Sequence, residues 1–310
     1  MVISVVKVIL PILIAFGCGM LCRRIRLFDD VGCQTLKSIV GKIMLPVILV
    51  NAFMFADYSL STLVIIIMLF AAPAAVFFLG YIVRKGIPQR AKYMPFIFST
   101  MECGTIGYPL ISMLFGQQGM GDMALIDVGH TAFLFMIVVP LLQAADGQNP
   151  DPKDIMRKAF LSPVFLAMVI GITLGVTGAG RWLAASETYE VYSSVVNFIT
   201  APAGTMILIA LGYDISFDKQ LIKPVLYTSI LRLATMELFC AVSVFVISRF
   251  YPMSRHMLYS LIFAFSLPAS FAVPMFARFE GHRDYVSATI SFSTVLSLAV
   301  FIVISVLVAV

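Results

Sequence analysis

The feature that most constrains this chain is a near-continuous series of apolar stretches, each about 20 residues long, separated by short polar gaps. A helix needs about 20 mostly apolar residues to span the hydrocarbon core of a bilayer. The hydrophobic fraction of 61% and the mean hydropathy of +1.01 exceed what a water-soluble domain of 310 residues can bury. The continuous runs also differ from the alternating segments of a membrane β-barrel. We therefore expect an all-α membrane protein.

The apolar stretches predict ten transmembrane helices, which we number as spans one to ten in chain order. Their expected ranges are 2–22, 36–56, 60–83, 92–115, 122–144, 160–181, 189–213, 221–248, 256–278 and 284–309. The longest polar gap divides these spans into five and five. We therefore expect a first five-helix repeat at 1–145, a linker at 146–159 and a second five-helix repeat at 160–310.

Lysine and arginine concentrate in alternate gaps between the predicted spans, with fifteen on one side of the membrane and four on the other. Such residues favour the cytoplasmic side of membrane proteins. The distribution predicts a multi-pass protein of the cell membrane with both termini extracytoplasmic and the linker in the cytoplasm. It also accounts for the net charge of +5, so we expect no nucleic-acid partner.

Short matches recur between the two halves of the chain. Phe98 and Pro109 in span four correspond to Phe263 and Pro274 in span nine, each 165 residues further along the chain. Because each half contains an odd number of spans, the second half enters the membrane from the opposite side. The chain is therefore predicted to contain two inverted five-helix repeats, a plan common in secondary transporters.

Spans four and nine carry helix-breaking residues near their centres. Proline removes a backbone N–H group and glycine relaxes the backbone, so both spans are predicted to contain broken helices. Unpaired backbone at this depth is tolerated where it lines a cavity, and a helix N-terminus directed there favours an anion. The alternative is that both spans contain proline kinks used only for packing. The candidate substrate- or ion-binding residues here are Gly104, Thr105, Gly107, Tyr108, Pro109, Ser266, Pro268, Ser270 and Pro274.

Glu102, also in span four, is the most informative single residue, because a carboxylate within a span is costly and usually has a function. Proton uptake, cation binding and pairing with an internal cation all stay open for it. A carboxylate conflicts with simple anion binding unless it is protonated or faces away. Arg232, near the middle of span eight, is a candidate counter-ion for Glu102, Glu237 or a substrate carboxylate; the alternative is a structural ion pair.

Span five carries Asp127, His130 and Thr131, whose spacing of three and four residues puts them on one helical face. Asp127 and His130 form a candidate titratable pair, unless Asp127 is solvated at the outer interface. Asn51 in span two is a candidate ligand that hydrogen-bonds broken backbone, or alternatively joins neighbouring helices.

Motifs typical of hydrolases, zinc proteases and nucleotide-binding proteins are missing from the sequence. The five cysteines show no metal-ligand spacing. We therefore expect no enzymatic activity, no metal site and no cofactor. Transport would then draw on a solute or ion gradient, with H+ or Na+ as the coupling ion.

The segment Gly104–Pro109, together with Ser266–Ser270 in span nine and Arg232 in span eight, resembles the auxin efflux carrier family, the bacterial relatives of plant PIN-type carriers. The resemblance extends over all ten spans. It implies a fold like that of the bile-acid sodium symporters, in which spans four and nine cross. It also implies organic-anion substrates, in bacteria small carboxylates such as malate or malonate. The family tends to have asparagine where this chain has Glu102 or Cys103, a departure that favours proton or cation coupling here.

Three functions follow as hypotheses. The leading one is a secondary active transporter of small organic anions that works by alternating access. The alternative is a cation/proton antiporter on the same architecture, with Glu102 and Asp127 as ion ligands. The third is a membrane receptor or scaffold without transport activity. The expected partners are a small organic anion, the lipid bilayer and, in a homodimer, a second copy of the chain.

Overall fold

The computed structural model describes residues 2–56, 58–59, 61–84, 91–145, 157, 161, 163–214, 221–271, 273–274 and 283–309. Every regular element within these ranges is helical, which confirms the all-α class. The predicted linker at 146–159, apart from Arg157, lies outside the described residues.

The described residues form fourteen α-helices, which we number in chain order. They are α1 Val2–Ile25, α2 Asp30–Ile39, α3 Leu45–Met54, α4 Thr62–Val83, α5 Met94–Ser99, α6 Tyr108–Phe133, α7 Val139–Ala145, α8 Pro163–Val176, α9 Ala179–Ala184, α10 Tyr189–Thr200, α11 Ala203–Asp214, α12 Ile222–Ile247, α13 Arg255–Ser266 and α14 Arg283–Ala309. Wider π-helical turns at Val40–Met44 and Leu134–Val138 connect α2 to α3 and α6 to α7, and a third at Cys103–Gly107 leads into α6.

Six helical stretches of the described residues are long and apolar enough to cross a bilayer, so the chain is a multi-pass membrane protein. One of them, Met94–Ala145, contains 52 residues, about twice the length that a single crossing requires. The other five are Asp30–Met54, Thr62–Val83, Tyr189–Asp214, Ile222–Ile247 and Asp284–Val308.

Helical backbone stops inside both segments that the sequence predicts to break. α5 ends at Ser99, and residues 100–102, which we call the first break, are not helical. α13 ends at Ser266, and residues 267–270, the second break, are not helical either. A further interruption lies within α6 at Gly116, whose φ of 57° and ψ of −137° favour glycine over residues with a side chain.

The two breaks are embedded in apolar surroundings. Phe98, Ile106, Phe265 and Leu267, which flank or belong to them, are fully buried in one hydrophobic core. Neither lipid nor bulk water reaches such a position to satisfy backbone groups. The breaks are therefore tolerated only if the protein itself supplies their hydrogen-bond partners.

Glycines let helices from the two halves of the chain approach each other closely. A Cβ atom at Gly19 of α1 would lie 2.0 Å from the Ile209 carbonyl oxygen of α11. The reverse approach is equally tight, since a Cβ atom at Gly212 would lie 2.0 Å from the Phe16 carbonyl oxygen. Gly171 similarly brings α8 against α3. Helices before the predicted linker thus pack directly on helices after it.

A comparison of Gly19→Ala with Gly17→Ala distinguishes the effect of close helix packing on stability from the effect of helix propensity, because both residues lie in α1. A methyl group at position 17 meets no atom within 4 Å, so Gly17→Ala should keep or raise the thermal stability through its better helix propensity. Gly19→Ala should lower stability by about 1–3 kcal/mol, because its methyl group collides with the α11 backbone. Thermal unfolding of the purified variants in detergent measures the difference. Equal unfolding temperatures would contradict this packing of α1 on α11.

Candidate functional site

The two breaks satisfy each other's backbone groups. The N–H group of Glu102 donates to the Pro268 carbonyl oxygen at 3.0 Å. In the opposite direction, the N–H group of Ser270 donates to Thr100 Oγ1 at 3.2 Å. The same hydroxyl group donates to the Phe96 carbonyl oxygen of α5 at 2.8 Å. Two interruptions that are far apart in sequence therefore form one local structure.

The Glu102 carboxylate accepts hydrogen bonds from residues at or just after each break. Its Oε1 accepts from the backbone N–H group of Thr105 at 3.1 Å and from the hydroxyl group of the same residue at 2.9 Å. Its Oε2 accepts from the backbone N–H group of Phe271 at 2.6 Å and from the Ser270 hydroxyl group at 3.3 Å. We call these four donors the carboxylate cradle. Hydrogen bonds to a charged acceptor are stronger than neutral ones, so this side chain ties the two segments together.

The cradle is buried on one side and partly exposed on the other. The Glu102 side chain is buried, with 6% of the residue exposed, whereas Gly104, Thr105 and Phe271 are half-buried. A methyl group at Gly104 would lie 3.5 Å from Glu102 Oε1 and 3.1 Å from a methyl group of Leu45. Glycine at this position therefore lets the Leu45 side chain pack closely beside the carboxylate.

Arg232 binds carbonyl groups at the first break, whose partial charge is negative, whereas Glu102 binds N–H groups. Its guanidinium is buried and donates to the carbonyl oxygens of Ile97 at 2.9 Å and Thr100 at 2.6 Å. These carbonyl groups lie at the C-terminal end of α5, where the helix dipole favours a cation. Arg232 takes part in none of the ion pairs among the described residues. In this structure the predicted counter-ion is therefore bound to backbone carbonyls and not to Glu102.

The end of α13 is satisfied by neutral groups. The Ser297 hydroxyl group of α14 donates to the Ser266 carbonyl oxygen at 2.5 Å, and the Ser266 hydroxyl group donates to the Phe263 carbonyl oxygen at 2.8 Å. Pro268, in the second break, is buried and contributes the carbonyl group that binds Glu102. Arg232 thus compensates the end of α5 alone, whereas the Glu102 carboxylate binds donors at both breaks.

Asp127 is a second buried carboxylate, 7% exposed. Thr131 Oγ1 donates to its Oδ1 at 3.0 Å, and the Tyr108 hydroxyl group donates to its Oδ2 at 3.4 Å. Nδ1 of His130 lies 3.6 Å from Oδ1. Thr131 and His130, predicted to share a face with Asp127, therefore lie beside its carboxylate, which is buried and not solvated. Tyr108 contacts the same carboxylate.

His130 connects this carboxylate to the first break. Its side chain is buried, and Nε2 accepts a hydrogen bond from the backbone N–H group of Met101 at 3.0 Å. Since a backbone amide can only donate, Nε2 carries no proton and the proton of the neutral ring lies on Nδ1. Ligand atoms of Cys103, Asp127 and His130 lie within 4.8 Å of one another, close enough to hold a metal ion. A protonated Nδ1 does not bind a metal, and its 3.6 Å distance from Asp127 Oδ1 is longer than a hydrogen bond.

The protonation of His130 leads to a prediction about metals. Neither Zn²⁺ nor a chelator should shift the thermal unfolding temperature of the purified protein, because metal binding at Nδ1 would place a second donor against the Met101 N–H group. Cys103→Ser serves as the control. A zinc-dependent rise in unfolding temperature that disappears in Cys103→Ser would contradict this assignment.

Asn51 forms hydrogen bonds with side chains that do not belong to the two breaks. Its Nδ2 donates to Gln117 Oε1 at 3.0 Å, and its Oδ1 accepts from the Tyr192 hydroxyl group at 3.1 Å. Gln117 directly follows the interruption at Gly116. Asn51 thus joins α3 to α6 and α10, which matches the helix-joining alternative considered for it.

The remaining predicted residues surround the breaks. Gly107 is buried, and a methyl group there would lie 3.1 Å from a Leu267 methyl group, so glycine lets the second break approach. Pro109 is buried in the first turn of α6, directly after a π-helical turn that accommodates its missing N–H group. Pro274 is exposed and helical. The helix is therefore interrupted before Pro109 and before Pro274, and not at either residue.

Several contributing groups escaped the sequence analysis. Thr100 and Ser297 differ little from other small polar residues within apolar spans. Phe271 contributes only a backbone N–H group, which no side-chain pattern signals. Asp122 pairs with His256, a contact between α6 and α13 that depends on the fold.

Arg232→Met tests the compensation at the end of α5. The variant should lose about 2–3 kcal/mol of stability, because two buried carbonyl groups lose a charged donor. Arg249→Met is a matched control near the end of the same helix, since its exposed guanidinium only lies over the Phe245 ring. That control should change stability by about 0.5 kcal/mol or less. If thermal unfolding in detergent shows equal losses for both variants, this role of Arg232 is wrong.

These observations define a helical multi-pass membrane protein whose interrupted helices meet in a buried polar site. A family model described as "Membrane transport protein" matches residues 1–305, and the chain belongs to this auxin efflux carrier-type family. The resemblance inferred from the sequence motifs is thereby confirmed. The chain is also 22% identical over 301 residues to a protein of Methanothermobacter thermautotrophicus named "Uncharacterized transporter", and the match covers 94% of each chain.

Proposed function

We propose that this protein is a secondary active transporter of small organic anions, specifically carboxylates, that works by alternating access. The observation that carries the proposal is the carboxylate cradle, in which donors at or just after each break converge on the Glu102 carboxylate. A pair of donors for each oxygen matches the geometry of a carboxylate group. Membership in a membrane transport family supports transport as the general activity.

We further propose that the chain forms ten spans in two inverted five-helix repeats, with spans four and nine crossing at the breaks. The 52-residue stretch Met94–Ala145 is long enough for two crossings, and its backbone is interrupted at Gly116. The packing of α1 on α11 and of α3 on α8 joins helices of the two proposed repeats. Inverted repeats provide two related arrangements, which open one central site alternately to each side of the membrane.

Coupling to H+ or Na+ would use the titratable groups beside the breaks. Glu102 and Asp127 are both buried carboxylates, and His130 connects the Asp127 site to the first break through the Met101 N–H group. Carboxylates within spans commonly mark proton or ion pathways. The proposed orientation has both termini extracytoplasmic in the cell membrane, as the distribution of lysine and arginine predicts. A homodimer stays a prediction.

A specific observation also favours the alternative, a cation/proton antiporter. The cradle already holds a carboxylate of the protein, so its donors are satisfied without any substrate anion. Glu102 and Asp127 would then serve as cation or proton ligands. The two functions differ in whether an organic solute moves.

Uptake of radiolabelled malonate into proteoliposomes tests the proposal. Purified protein should accumulate malonate above protein-free liposomes, with a rate that depends on a pH or sodium gradient. Thr105→Val combined with Ser270→Ala removes two cradle hydroxyl groups. Introduced into Glu102→Ala, where no side chain competes for the cradle, the pair should raise the KM for malonate exchange about tenfold relative to Glu102→Ala alone. Thr35→Val, which changes an exposed threonine of α2, should leave the KM unchanged.

Two results would contradict the proposal. Cation-dependent proton movement without movement of malonate or a related carboxylate would favour the antiporter. An unchanged KM on adding Thr105→Val and Ser270→Ala to Glu102→Ala would place carboxylate recognition outside the cradle.

A further inference from the structure

We propose that Glu102 is a tethered occupant of the carboxylate cradle, which fills the cradle in the absence of substrate and leaves it when a substrate carboxylate enters. This inference rests on the proposed function. Its consequence is that the substrate-free carrier can change orientation, so the protein carries out net transport and is not restricted to exchanging one substrate for another.

The chemistry of the cradle requires an acceptor. Two of its four donors are the backbone N–H groups of Thr105 and Phe271, which cannot rotate to become acceptors. The other two, the hydroxyl groups of Thr105 and Ser270, are also directed at Glu102. A carboxylate satisfies all four donors at once, whichever molecule supplies it. The Glu102 carboxylate and a substrate carboxylate therefore compete for the same four hydrogen bonds.

The backbone of Glu102 is held independently of its side chain. Its N–H group binds the Pro268 carbonyl oxygen, and its own carbonyl oxygen accepts from the Gly107 N–H group at 3.2 Å. Neither hydrogen bond involves the carboxylate. The side chain can therefore leave the cradle while the two breaks stay in contact. Gly104, Thr105 and Phe271 are half-buried, so the cradle is partly exposed on one side, and the carboxylate can leave toward that side.

The state of the empty carrier determines the mode of transport. In an alternating-access cycle, the site passes through a closed form that bulk water does not reach. A cradle without an anion would enter this form with unsatisfied amide groups, which is costly. A carrier of that kind returns only with substrate bound and is an obligatory exchanger. Glu102 satisfies the amide groups whenever substrate is absent, so the return step no longer depends on substrate.

A binding experiment tests the occupancy directly, with acetate as the probe. Glu102→Ala empties the cradle and leaves space for a small carboxylate, so sodium acetate should stabilise this variant more than sodium chloride does. The expected rise in unfolding temperature is about 2–4 °C when acetate reaches tenfold its dissociation constant. Wild-type protein should show no acetate-specific rise, because Glu102 occupies the cradle. Asp122→Ala, which removes a carboxylate that pairs with His256, is the matched control and should show none.

A transport experiment tests the consequence. Wild-type proteoliposomes should show both net malonate uptake and exchange of external labelled malonate for internal unlabelled malonate. Glu102→Ala should retain exchange, but its rate of net uptake should fall about tenfold or more. The reason is that the substrate-free carrier, with an empty cradle, cannot change orientation. Adding acetate on both sides should restore part of the net uptake.

The outcomes separate this inference from the proposed function. If the wild-type protein moves malonate and Glu102→Ala keeps the same ratio of net uptake to exchange, the tethered occupant is wrong and the transporter stands. If the wild-type protein moves no carboxylate, the proposed function is wrong; acetate-specific stabilisation of Glu102→Ala would then still support Glu102 as an internal ligand. Equal acetate effects in Glu102→Ala and Asp122→Ala overturn the inference in either case.

Discussion

Backbone groups at the depth of a bilayer must find their hydrogen-bond partners within the protein, and this constraint determines the structure around the two breaks. Each interruption leaves amide and carbonyl groups that a continuous helix would have paired. The chain resolves this by bringing the breaks together, so that Glu102 binds Pro268 and Ser270 binds Thr100. Neither break would be stable alone in the hydrophobic core that surrounds them.

The positions of the buried charged side chains follow from the same constraint. The exposed carbonyl end of α5 is compensated by the guanidinium of Arg232, and the amide groups beyond each break are compensated by the Glu102 carboxylate. The buried Arg232 cation therefore stabilises carbonyl groups, and the buried Glu102 anion stabilises amide groups. The two side chains do not form an ion pair with each other. The end of α13 uses the neutral Ser297 hydroxyl group instead, so the two proposed repeats are chemically different at their centre.

The sequence predicts the positions of the breaks better than their interactions. Glycine and proline in spans four and nine predicted interrupted helices, because the effect of these residues on the backbone is local. The roles of Glu102 and Arg232 were not predictable in the same way, since their partners are backbone groups of distant segments. Arg232 in particular binds carbonyl groups that exist as acceptors only because α5 ends there. The spacing of Asp127, His130 and Thr131 correctly indicated a shared face, but the link from His130 to Met101 depends on the break.

The central claim is that the carboxylate cradle binds the carboxylate group of the transported solute. Solid-state NMR tests this by measuring dipolar dephasing of ¹³C-carboxyl malonate by protein that carries ¹⁵N-phenylalanine. The account predicts dephasing from the Phe271 amide nitrogen in the wild-type protein. It also predicts loss of that dephasing in Phe271→Leu, which keeps the backbone N–H group and malonate binding but removes the label. Bound malonate that shows no dephasing in the wild-type protein, or the same dephasing in Phe271→Leu, would contradict the account.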